Sequence, residues 1–145
     1  MKIKLKDGSV KEYAQAMSVI DIAKDISEGL ARVACAGELN GTVVDLRTVV
    51  DDDCELNILT FEDEAGKAAY RHTCSHVLAE AVKRLYPDAK LAIGPSIDTG
   101  YYYDLDHESF SREDLDKIKK KKKKIIKEGA EITRFELPRE EAIQF

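Results

Sequence analysis

Residues 2–6, Lys-Ile-Lys-Leu-Lys, alternate polar and apolar side chains with a period of two. That period places Ile3 and Leu5 on one face of a strand. Asp7-Gly8-Ser9 supplies turn residues, and Val10–Tyr13 continues the extended pattern, so the opening reads as a β-hairpin. The period then changes. Val19, Ile22, Ala23 and Ile26 share one helical face, Ser18 can cap the helix with Asp21 three residues on, and Gly29 is expected to end it. Residues 31–46 read as two short strands around a Gly-Glu-Leu-Asn-Gly turn, and Cys54–Phe61 reads as a final strand after Asp51-Asp52-Asp53. The order is β-β-α-β-β-β, a small mixed sheet with one helix across it, which is a β-grasp pattern.

Beyond a polar link at 62–66, the helical period returns. Ala68, Ala69, Cys74, Val77, Leu78, Ala81, Val82 and Leu85 predict one broad apolar face, stopped by Pro87. Residues 90–106 read as an extended pair bent at Gly94-Pro95 and Thr99-Gly100. A second helix is expected from Ser111, which can cap against Asp114, to Gly129. A strand is expected at 131–136 and a third helix after Pro138. Its apolar residues Ala142, Ile143 and Phe145 would stand exposed, which suggests a chain cut inside a domain. The whole reads as α+β in two domains, 1–62 and 63–145, the second incomplete.

Composition sharpens this division. Residues 1–66 hold 7 basic and 14 acidic side chains, a net of −7, whereas residues 67–145 hold 16 and 14, a net of +2. The halves differ in electrostatic character, and neither is basic enough overall for a stand-alone nucleic-acid binder. No run approaches the ~20 apolar residues of a membrane span, and the N-terminus lacks the apolar core of a signal peptide. Cys35, Cys54 and Cys74 form no Cys-x-x-Cys pair, so a reducing cytoplasm fits better than a disulfide framework. Cys35 reads as a small core residue.

The chemistry centres on Arg71-His72-Thr73-Cys74-Ser75-His76. A spacing of four places His72 and His76 on one helix face, one turn apart. Such a pair can be a coincidence of surface or core, a zinc half-site or a catalytic pair. Thr73 follows the first histidine, so this is no His-Glu-x-x-His hydrolase. Two ligands are too few for zinc, and His107 and Cys74 do not obviously complete a set.

Residues 71–106, with His-x3-His on a helix, then Ile93-Gly94-Pro95, then Gly100-Tyr101-Tyr102-Tyr103-Asp104, resemble the start of the editing domain of the threonyl-tRNA synthetase family. Residues 1–61 resemble the TGS domain that opens those enzymes, a module also found in stringent-response and GTPase proteins. The resemblance implies the N-terminal portion of a threonine–tRNA ligase, with His72 and His76 lining half of an editing site and Tyr103 beside them. The family completes that site with a later Cys-x3-His segment, which these residues do not include. In alanyl-type editing domains, His-x3-His and Cys-x3-His hold zinc.

The resemblance also supplies a chemical rationale. Serine lacks one methyl of threonine, worth only ~1–3 kcal/mol of discrimination, so a second site must hydrolyse the seryl ester. A histidine, with an unperturbed pKa of about 6.5, suits the proton step. The implied partners are the acceptor end of tRNA(Thr) and the rest of the synthetase, with no membrane. ATP, Mg and a core zinc are implied only for the intact enzyme, and no cofactor or metal for these residues. The segment is expected to be monomeric, and inactive in aminoacylation by itself. The alternative is a TGS-containing tRNA or ribonucleoprotein binding module without catalysis; a free-standing editing factor fits less well without Cys-x3-His.

Six consecutive lysines, 119–124, lie in the second expected helix. They can meet tRNA phosphates, but a solvated face whose stems cover apolar neighbours is the simpler expectation.

Overall fold

The computed structural model describes residues 1–133 and 135–144. The N-terminal hairpin forms as its alternation requires, with β1 (Lys2–Leu5) antiparallel to β2 (Val10–Glu12). A short β3 (Met17–Ser18) leads into α1 (Val19–Ile26), where Ser18 Oγ accepts the Asp21 N–H. Ser27, not Gly29, ends this helix. Its N–H donates to the Ala23 carbonyl, and its Oγ then accepts from the Gly29 and Leu30 amides to start α2 (Glu28–Val33). One serine caps both helices, so residues 31–33 are helical rather than extended.

Then follow β4 (Ala34–Leu39), β5 (Thr42–Val44), β6 (Val49–Val50) and β7 (Cys54–Thr60). Asn40 and Gly41, at φ 47° and 84°, make the two-residue turn between β4 and β5. The sheet order is β2-β1-β7-β4-β5, with β1 and β7 parallel and the other pairs antiparallel. Ile3, Leu56 and Ile58 from the sheet meet Val19, Ile22 and Ala23 of α1 in a closed core. This is the β-grasp arrangement.

The expected polar link is not a link. Asp63 Oδ2 accepts from the Thr60 N–H at 2.9 Å, and the Asp63 carbonyl accepts from Lys67 N at 2.8 Å. Only three residues therefore separate the end of β7 from the start of helix α3 (Glu64–Leu85). Gly66 is buried in its first turn because a Cβ there would overlap the Thr60 carbonyl. Glycine permits helix and strand to touch at this corner.

Along α3 the burial does not follow one stripe: Ser75, Ala79, Ala81 and Val82 are buried, while Ala68 is exposed. The helix changes neighbours along its length. It meets the sheet first, then an extended ribbon, then α4 (Arg112–Glu128). The ribbon comprises β8 (Lys90–Leu91), β9 (Ser96–Ile97), β10 (Gly100–Tyr101) and β11 (Leu105–Asp106), pairing β9 with β10 and β8 with β11. Ala92 and Ile93 exchange backbone hydrogen bonds with Asp104, so the expected pair forms with an interruption at Gly94-Pro95.

Helix α4 carries a full capping box between Ser111 and Asp114 and ends on Gly129 at φ 61°, as its sequence predicts. Ile118 and Ile125 join Ala81, Val82 and Ala89 in a second core. The expected strand at 131–136 is absent from its described residues, which are exposed; Arg134 lies outside them. The helix after Pro138 is α5 (Arg139–Gln144); Phe145, expected exposed at its end, lies outside the described residues. Among the described residues, no helix is long and apolar enough to cross a membrane.

Candidate functional site

Helix α3 brings His72 and His76 together. Their ring centroids are 4.4 Å apart at 62°, an edge-to-face contact, and both side chains are exposed. The pKa of His76 lies below 6.5, first because of partial burial and second because of repulsion from His72. A histidine so placed is neutral at pH 7 and has a free lone pair for a proton.

Between them sits Ser75, fully buried. Its Oγ lies 2.7 Å from the His72 carbonyl and 2.8 Å from the Gly94 carbonyl, so one hydroxyl joins the histidine helix to the ribbon. The sequence reading passed over Ser75. Its signal is a small hydroxyl side chain on a helical face that must approach other backbone closely.

Gly94 sits under the ring of Tyr103, and a methyl group there would overlap the ring. Ile93-Gly94-Pro95 and Tyr103 thus form one wall, tied to α3 through Ser75. Tyr103 reaches the histidines through this chain of contacts; among the described residues it shares no ring contact with either imidazole. Arg71 pins the ribbon tip by donating from Nη1 to the carbonyls of Ile97 (3.2 Å) and Asp98 (2.7 Å). Tyr101 faces α4, where its hydroxyl accepts from Lys122 Nζ at 2.6 Å. The three tyrosines therefore divide: Tyr101 braces α4, Tyr103 covers Gly94, and Tyr102 is exposed.

Burial pushes the Cys35 and Cys54 thiols up, which disfavours either as a nucleophile. Among the described residues no three His, Cys, Asp or Glu side chains converge as metal ligands. A groove of about 600 Å³ lies over the open face of the sheet, lined by Lys4, Glu38, Glu55 and Asn57. Lys4 and Glu55 pair across it at 2.6 Å, and neither histidine lines it.

Residues 1–60 match the TGS domain family. The chain is 62% identical over 146 aligned positions to the threonine–tRNA ligase of Acetivibrio thermocellus, covering 100% of this chain and 23% of that relative. Along its whole length it is related to threonine–tRNA ligases. The ligase of Clostridioides difficile is 57% identical and that of Clostridium perfringens 59%, each over 99% of this chain and 23% of the relative. The chain thus spans about a quarter of the length of these curated relatives, and the match fits the N-terminal portion of such a ligase.

Proposed function

We propose that these residues serve a threonine–tRNA ligase as its TGS domain, 1–62, and the first part of an editing domain, 63–145, that hydrolyses seryl-tRNA(Thr). The observation that carries this is the imidazole pair at 4.4 Å on α3, braced by Ser75 against the wall of Gly94 and Tyr103.

Ester hydrolysis requires a group to take a proton from water. His76, kept neutral at pH 7, is that base. His72 stands close enough to share the resulting charge or to hold the water. Tyr103 bounds the space that an amino-acid side chain would enter. Both imidazoles are open to solvent, so a second wall from elsewhere in the ligase would close the site and exclude competing water. ATP, Mg²⁺ and zinc would be bound outside these residues, and the reading places the protein in the cytoplasm.

A ligase carrying this segment should deacylate seryl-tRNA(Thr) much faster than threonyl-tRNA(Thr), while the 145-residue chain alone does neither well. Rapid deacylation by the isolated chain would refute the half-site reading. Tight tRNA binding with no editing by the ligase would favour a binding module instead.

A further inference from the structure

One face of α3 grips the ribbon at two points. Arg71 and Ser75 are i and i+4, so their side chains stand one turn apart on that face. Ser75 Oγ meets the Gly94 carbonyl at 2.8 Å. Arg71 Nη1 donates to the carbonyls of Ile97 at 3.2 Å and Asp98 at 2.7 Å, at the ribbon tip. His72 and His76 each follow one of these residues, displaced by about 100° around the helix axis. Grip and imidazoles therefore move as one body. The grip sets how the wall of Gly94 and Tyr103 stands relative to the two rings.

The two grips differ in stiffness. Ser75 is a short side chain, fully buried. Arg71 is half-buried and reaches the ribbon on a long stem with much rotamer freedom to lose. Its guanidinium carbon lies 5.8 Å from the centroid of the Phe61 ring, within the range of a cation–π contact. Phe61 is itself held, because the Tyr70 ring meets it edge-to-face, with centroids 5.3 Å apart at 77°. Phe61 directly follows β7, the central strand of the β-grasp sheet. A ring of the first unit thus lies beneath the cation that holds the ribbon of the second.

Stability alone gives a poor account of this arrangement. The bonds from Arg71 are solvent-exposed, and water can satisfy the Ile97 and Asp98 carbonyls in its place. Phe61 is 44% exposed and belongs to neither apolar core. What the pair restricts is where the ribbon sits. We infer that Phe61 and Arg71 are positioning residues through which the β-grasp unit holds the ribbon wall against the histidine helix. The β-grasp unit thereby takes part in the site without contributing a group to it. The consequence for hydrolysis rests on the proposed function, but the positioning itself does not.

Amide hydrogen exchange of the 145-residue chain reads the positioning directly. Arg71→Met removes the donors and should speed exchange of the β9–β10 amides about tenfold. Phe61→Leu removes the ring face and should speed it roughly threefold. Exchange in the β1–β7 pair should not change in either variant, and circular dichroism confirms that both fold. Because Phe61 acts through Arg71, the double variant should match Arg71→Met alone. Phe61→Tyr keeps the ring and should exchange like the wild type. In a ligase carrying this segment, the maximal single-turnover rate of seryl-tRNA(Thr) deacylation should fall in the same order, by roughly tenfold and threefold. The half-saturating concentration and threonylation should stay unchanged, because a displaced wall costs rate rather than binding. The inference is overturned if Phe61→Leu leaves β9–β10 exchange at the wild-type rate or if the two effects multiply in the double variant. It is equally overturned if an editing ligase keeps its maximal rate in both single variants. Should the wild-type ligase not hydrolyse seryl-tRNA(Thr), the editing reading fails, and the exchange measurement alone decides the positioning.

Discussion

At the scale of single residues, the candidate chemistry rests on His76 being held neutral. Its folded pKa lies below 6.5, so protonation favours the unfolded chain. Stability is therefore complete above about pH 6.5 and declines as pH falls from there toward the lowered value. His76→Gln should remove that segment of the pH-stability curve, measured by urea denaturation between pH 5 and 7. The same lowered value places the acid limb of any editing rate below pH 6.5. Gly94 gives a second test. Gly94→Ala forces the Tyr103 ring aside, and should shift the Tyr103 resonances and lower editing while leaving the fold of residues 1–60 unchanged. His72 and His76 were legible because helix geometry alone brings i and i+4 together. Ser75 was not, because its value depends on which backbone it meets, and that backbone is Gly94, nineteen positions away.

At the scale of elements, what the sequence announced locally formed as expected. The hairpin, the Ser18 and Ser111 caps, and the Gly129 stop depend on neighbours within four residues. Misreadings arose where a residue had two roles or a distant contact. Ser27 caps in both directions and so displaces the stop expected at Gly29. Gly66 looked like the end of a linker because the Thr60 carbonyl it accommodates cannot be seen in a helical pattern. Two predictions belong here. Ser111→Ala should cost about 1 kcal/mol, read by chemical denaturation, since Ser111 Oγ accepts the Asp114 N–H and the Asp114 carboxylate is bonded in return. Those bonds to Ser111, followed by that from Tyr86, hold Asp114 down to about 2, so its contribution is present above pH 3.8 and lost as pH falls toward 2. Gly66→Ala should strain the β7–α3 corner and destabilise the chain by more than the usual ~1 kcal/mol helix gain of Ala over Gly.

At the scale of the whole molecule, the chain joins an acidic β-grasp module to a more basic helix-and-ribbon unit through a corner without slack. The fold class followed from periodicity, and the similarity to threonine–tRNA ligases from the ordered motifs at 71–106 together with residues 1–61. The strand expected at 131–136 does not form in the described residues of that span, because alternation alone does not make a strand. The central claim is that His72 and His76 perform hydrolysis rather than merely decorate α3. Single-turnover decay of seryl-tRNA(Thr), followed with a ligase carrying this segment, tests it most directly. The H72A/H76A double variant should lose at least a hundredfold in deacylation, the lower range for a general base, with threonylation unchanged. Deacylation at the wild-type rate in that variant would contradict the account.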